Sequence, residues 1–190
     1  AIIVADALSR YNIPIILDPV MVSSSGHRLL SFDAQEVVKE RLLPLSTLVT
    51  PNIPEMEALT AMSLTTAEEK LSAAQYLLSL GAQAVLLKGG HEEGDTKCDT
   101  LYELDGRNIT QLHLSTPTVA TKNIHGTGCT LSSAIAAFMA RGLVLREAVQ
   151  EAKNYITEAI LSGADIAIGN GFGPVNHLFN PLPMQVYEER

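Results

Sequence analysis

The chain has 190 residues, with 13 Lys plus Arg against 21 Asp plus Glu and a formal charge of −8. That length suits one domain, and the acidic balance excludes a nucleic-acid surface, which needs clustered positive charge. Apolar residues at 46% exclude global disorder, and 5% aromatics with no Trp make the core aliphatic.

In chain order, the apolar residues at 2, 3, 4, 7 and 8 predict a helix ending near Tyr11 and Asn12. It reads as a helix already under way at Ala1, so a preceding N-terminal piece is expected. Pro14 opens a β-branched run closed by Asp18 and Pro19, which predicts a buried parallel strand over 14–17. Residues 23–26, Ser-Ser-Ser-Gly, read as a loop. Asp33, with Glu36 three residues on, is expected to cap a helix that Pro44 ends. Residues 47–50 form a second strand, stopped by Pro51. A short helix follows from Glu55 to Ala61. Thr66 caps another over 67–80, with Glu69 at its third position and Gly81 as its stop. Residues 84–87 are the third strand. Helix and strand alternate with short turns, the pattern of a parallel sheet covered by helices.

The pattern changes after Gly90. Residues 100–105 and 108–114 alternate around Asp105-Gly106, which predicts a hairpin with a type I′ turn. A small-residue helix over 128–141 ends at Gly142, and a longer one covers 145–162. The tail, with Gly169, Gly171, Gly173 and Pro174, reads as loop. No apolar run approaches the ~18 residues of a membrane span. Two cysteines, Cys98 and Cys129, cannot make a disulfide framework and fit a reducing, cytoplasmic setting.

The stretch from Thr121 to Thr130 is the richest in chemistry. Gly126 and Gly128 flank Thr127 at a helix start, where free amides and the helix dipole make an anion site. Cys129 falls in that first turn, a position that favours a thiolate. The bland alternative is a capped helix with a small buried Cys. The stretch matches neither the nucleotide P-loop nor the dinucleotide fingerprint. Ligands of parallel α/β sheets bind beyond the carboxyl ends of the strands. Asp18, Asn52, Glu55 and Lys88 all sit at such ends, so they are expected to converge with the 126–129 turn. Carboxylates for Mg²⁺, a lysine for phosphate and amides for moving charge are the parts of a phosphoryl-transfer site.

Residues 17–21 (LDPVM), 50–55 (TPN-x-PE), 87–91 (LKGGH) and 122–129 (KN-x-HGTGC) resemble the ribokinase-like family. They are most similar to its hydroxymethylpyrimidine/phosphomethylpyrimidine kinase branch, as is the tail over 169–179. Cys129 is the discriminating residue, since most ribokinase-like enzymes carry Asp there. The family normally has a further Gly-rich N-terminal segment, lining much of the pyrimidine pocket, before the point where Ala1 falls.

The resemblance implies one ribokinase-like domain over 1–190, the nucleotide-side portion of a three-layer αβα fold with a mostly parallel sheet and an antiparallel hairpin. It implies ATP and Mg²⁺, a pyrimidine substrate, a homodimer, and neither nucleic-acid nor membrane partners. Gly126, Thr127, Gly128 and Cys129 would form the anion hole, with Cys129 beside the substrate hydroxyl. Lys88, Asn52 and Lys122 would contact nucleotide, Asp18 and Glu55 would hold Mg²⁺, and Val20 would pack on the pyrimidine. His125 reads as structural, and the other four histidines show no metal spacing.

Three alternatives remain at this point. One is a pyridoxal kinase of the Cys-bearing kind. Another is an acyl-transfer enzyme using Cys129 with His125 as a thiol nucleophile. The last is an inactive fragment that folds only with a partner.

Overall fold

The computed structural model describes residues 1–21, 29–90 and 94–181. The serine-rich loop expected over 23–26, and His27 and His91, lie outside them. Helix α1 spans Ile2–Leu8 and strand β1 spans Ile16–Leu17. The apolar spacing at 2, 3 and 4 does not mark a buried face here: Ile2, Ile3 and Val4 are exposed, and Ala5 is the residue that packs inward. Strand β1 is half-buried and shorter than expected. The fixed φ and missing N–H of Pro14, and the turn at Asp18-Pro19, leave only two residues free to join a ladder.

Helix α2, Phe32–Val37, is capped by Ser31, whose hydroxyl accepts the Ala34 amide, and not by Asp33. Asp33 sits in the first turn, where its charge suits the helix dipole. Pro44 does not end the run. The chain widens into a π-turn over Val38–Leu42 and tightens into a 3₁₀ turn over Leu43–Leu45 that contains Pro44. A proline cannot donate to the regular ladder and crowds the carbonyl four residues back, so the turns on its N-terminal side rewind.

Strand β2 is Leu48–Val49, and helix α3 is Ile53–Thr60. Helix α4, Ala67–Ser79, carries the expected capping box of Thr66 and Glu69. Strand β3 is Ala84–Leu87, as its sequence predicts. Strands β4, Thr96–Asp105, and β5, Asn108–Pro117, make a ten-pair antiparallel hairpin, longer than expected at its open end. Its two-residue loop is Gly106-Arg107. Only Gly106 has positive φ, so the turn follows the type II′ pattern and not I′. Helices α5, Thr127–Ala140, and α6, Leu145–Gly163, complete the elements.

The sheet order is β1-β2-β3-β4-β5. The first three strands run parallel and the hairpin continues the sheet antiparallel from β3. Alternation along the strands divides the core between two faces. Val49, Val85, Leu87 and Tyr102 pack with Met56, Leu59, Ala73, Ala74 and Leu77 of α3 and α4. Leu48, Ala84, Leu86 and Leu101 pack with Leu131, Ile135, Val149, Ala152 and Ile156 of α5 and α6. The result is the expected three-layer arrangement, with the carboxyl ends of β1, β2 and β3 side by side. Among the described residues no helix is long and apolar enough to cross a membrane.

Candidate active site

At those three strand ends the structure gathers Asp18, Glu55 and Lys88. Asp18 follows β1, and its Oδ1 accepts the Thr50 hydroxyl at 2.9 Å and Lys88 Nζ at 2.8 Å. Lys88 follows β3 and also lies 3.6 Å from Glu55 Oε2. Glu55 is held by α3's own start. The Asn52 side-chain oxygen accepts the Glu55 amide, and Glu55 Oε2 accepts the Asn52 amide, each at 2.8 Å. The capping box therefore aims a carboxylate at the lysine instead of leaving it in solvent.

The cluster holds two carboxylates against one ammonium, and it is well covered. Glu55 is 4% exposed. Burial raises the Glu55 carboxyl above its ordinary range, and the nearby Asp18 charge adds to this, while Lys88 and the Asn52 amide pull it back.

Helix α5 begins directly over this cluster. Gly126 caps it in the left-handed region at φ +87°, a conformation that a residue with a Cβ adopts at a cost. A Cβ on Gly128 would lie 3.4 Å from Lys88 Nζ and 3.8 Å from Asp18 Oδ2. The backbone amides of the first turn thus face the same space as the lysine. The Thr127 hydroxyl is turned back onto the Ile124 carbonyl, so Thr127 shapes the loop with its side chain. Cys129 is exposed, which removes the bland alternative of a buried packer.

Two hubs that the sequence analysis did not single out position these loops. Asn123, 2% exposed, donates from Nδ2 to the carbonyls of Gly163, Ala164 and Ile166. It ties the loop before α5 to the end of α6, and it fills the space that a Cβ on Gly173 would need. His125 pairs through its backbone with Gly173 and Val175, in keeping with the structural role expected of it. The second hub is a buried pair, Lys153 of α6 and Asp99 of β4, at 2.7 Å. Asp99 also accepts the Gly89 amide at 2.8 Å. The sequence signal was a lysine on the apolar stripe of α6, one turn from Val149 and Ile156.

Other expected residues stand differently. Lys122 is exposed, and no hydrogen bond or ion pair among the described residues joins it to the cluster. Val20 is half-buried, with its amide on the Asp18 carbonyl. Among the described residues no group of three or more His, Cys, Asp or Glu could hold a metal by itself. Mg²⁺ needs fewer, since it is commonly bound by one or two carboxylates together with phosphate oxygens and water. Asp18 Oδ2 and Glu55 Oε1 accept no hydrogen bond from the described residues, so this donor set fits such an ion.

Comparison with known proteins places the chain in a family. The phosphomethylpyrimidine kinase family matches residues 1–176. The hydroxymethylpyrimidine/phosphomethylpyrimidine kinase of Escherichia coli is 42% identical over 92% of this chain and 65% of its own length. The thiamine biosynthesis bifunctional protein ThiED of Geobacter sulfurreducens is 47% identical over 86% of this chain and 32% of its own. Among solved structures, a Bacillus subtilis pyridoxal kinase in complex with ADP superposes with a TM-score of 0.81 at 32% identity, covering 92% of this chain and 64% of that one. A phosphomethylpyrimidine kinase from Clostridium difficile gives 0.66 at 37% identity, covering 83% of this chain and 62% of that one. The chain therefore spans just under two thirds of the E. coli relative and of both structures.

Proposed function

The chain belongs to the phosphomethylpyrimidine kinase family, and we propose that it is the nucleotide-side portion of a ribokinase-like kinase. The proposed reaction is ATP-dependent phosphorylation of a hydroxymethylpyrimidine and then of its monophosphate, in thiamine biosynthesis. The observation that carries the reading is the placing of Lys88, between Asp18 and Glu55 and beneath the first-turn amides of α5.

In this reading the substrate hydroxyl oxygen bonds to the γ-phosphorus while the bond to the β,γ-bridging oxygen breaks, and ADP leaves. The hydroxyl proton passes toward Cys129 Sγ, which stands at the open start of the helix. The transition state of such transfers is loose, so positioning and charge do most of the work and the base little. Lys88 contacts the phosphates. The amides of Gly126, Gly128 and Cys129 receive the negative charge on the moving group, without reorganising, while Thr127, whose own amide bonds to the Ile124 carbonyl, shapes the loop that presents them. Asp18 and Glu55 would hold Mg²⁺, which when bound would neutralise phosphate charge. Asn52 contributes through its side-chain Nδ2, since its Oδ1 and its backbone amide are both committed to the cap. Val20 meets the pyrimidine, and Lys122 lies at the outer edge of the nucleotide.

A single domain over 1–190, a homodimeric assembly and a cytoplasmic setting are all part of this proposal and rest on the family resemblance. The pyridoxal kinase likeness at a TM-score of 0.81 keeps a second substrate in view. A side-by-side assay of ATP consumption with a hydroxymethylpyrimidine and with pyridoxal tests both. Turnover of the pyrimidine in preference supports the proposal. Preference for pyridoxal, or covalent acyl capture on Cys129 without ATP, overturns it.

A further inference from the structure

We propose that Asp99 is a positioning residue for Lys88, acting through the Gly89 amide, and that Lys153 is there to balance its charge. The inference rests on the reading of Lys88 as a phosphate ligand for its meaning, but not for its test.

The strand register places Asp99. Leu87 of β3 lies opposite Thr100 of β4, so the next residues along, Lys88 and Asp99, also face each other across the sheet. There the ladder stops. The Gly89 amide bonds to the Asp99 carboxylate at 2.8 Å and not to a backbone carbonyl. On the other side, the Lys88 amide bonds to the Pro51 carbonyl at 2.9 Å, and Lys88 pairs with Asn52 as an isolated parallel bridge. Lys88 is thus held from both flanks, by β2's extension through its own amide and by Asp99 through the next one. Beyond it, Gly90 is exposed. Without Asp99, the lysine would stand on a Gly-Gly hinge with one flank tied.

The charge of Asp99 explains Lys153. A carboxylate 4% exposed is costly unless paired. Lys153 Nζ meets its second oxygen at 2.7 Å from the apolar stripe of α6. Buried ion pairs are weak contributors to stability compared with apolar residues of the same volume. Holding one amide in place is a better account of why a charged pair sits in this core than stability is. The pair also links α6 to the lysine's hinge, so the helix packed against α5 sets the position of Lys88 relative to the α5 amides.

Two doubly substituted chains separate positioning from packing. Asp99→Asn with Lys153→Gln keeps an acceptor for Gly89 and a neutral hydrogen bond. Asp99→Leu with Lys153→Met keeps the volume and removes the acceptor. The readout is acetylation of each lysine by a limiting amount of acetic anhydride, followed by mass spectrometry. We expect Lys88 to react several-fold faster in the Leu/Met chain than in the parent or the Asn/Gln chain, with Lys39 and Lys122 unchanged. Equal Lys88 reactivity in both folded variants, or faster reaction at every lysine, overturns the proposal.

Amide exchange in the unsubstituted chain decides the matter if the Leu/Met chain does not fold. Gly89 should then exchange at least roughly tenfold more slowly than Gly90, and equal rates overturn the proposal. In the kinase assay the Leu/Met chain should lose kcat at a melting temperature no lower than the parent's. Absence of turnover in the parent would count against the kinase reading, while the acetylation result still judges Asp99.

Discussion

Among the described residues, Lys153 is buried and Lys88 half-buried against carboxylates, and the two are not alike. Lys153 meets one carboxylate, Asp99, whose other oxygen is occupied by the Gly89 amide. Its charge is balanced and its partners are spoken for. Lys88 meets two carboxylates, Asp18 and Glu55, and faces the open first turn of α5. That group carries surplus negative charge on one side and unclaimed amide donors on the other. A fold gains nothing from leaving such a cluster unbalanced beneath free amides. The imbalance is what the proposed site for a metal-bound phosphate would use.

The contrast predicts where a broken pair will hurt. Lys153→Ala strands the Asp99 charge in the core and should destabilise the chain by about 3–5 kcal/mol. Urea unfolding measures it. A loss no larger than for an exposed residue such as Lys122→Ala would erase the distinction between the two lysines.

At the start of α5, the expected effect is on rate and not on folding. Cys129→Ala keeps the amides and removes only the exposed sulfur. Its turnover should fall about 10²-fold, the low end for loss of a general base, because a loose transfer asks little of one. Cys129→Asp should keep more activity than the Ala variant. Turnover equal to the parent in Cys129→Ala would leave the amides and Lys88 as the whole of the machinery.

Glu55 sharpens the comparison by pH. Its folded carboxyl is raised by burial above the ordinary 4.5. A carboxyl raised on folding adds stability that is full below pH 4.5 and is lost as pH rises through the folded value. Glu55→Gln cannot ionise and retains an oxygen for the Asn52 amide. Relative to the parent, its urea midpoint should therefore rise as pH climbs through that window. A constant difference at all pH values would mean that Glu55 ionises without strain, as a balanced pair would.

The sequence shows the convergent part of the site but not its supports. Asp18 and Lys88 were legible because each ends a short apolar run, and Glu55 because it opens the helix after another; parallel strands bring such ends together. Helix α4 and strand β3 were legible because Thr66, Glu69 and the 84–87 run are local signals. The supports are not local. Lys153 and Asp99 are 54 residues apart, and Asn123 reaches carbonyls at least 40 residues away. Neither pairing leaves a periodicity to read. Ser31 and Asp33 both look like caps, and only the path of the backbone chooses between them. The type II′ turn likewise depends on which pair closes the hairpin. Asp105 faces Asn108, which moves Gly106 to the first loop position.

Calorimetric titration of Mg·ATP into three chains tests the central claim most directly: the parent, Lys88→Met, and Asp99→Asn with Lys153→Gln. The account predicts binding by the parent, little change in the Asn/Gln chain, and a loss of roughly 10–100-fold in affinity for Lys88→Met, the range for one charged hydrogen bond. Equal affinity in all three, or a larger loss in the Asn/Gln chain than in Lys88→Met, would contradict it.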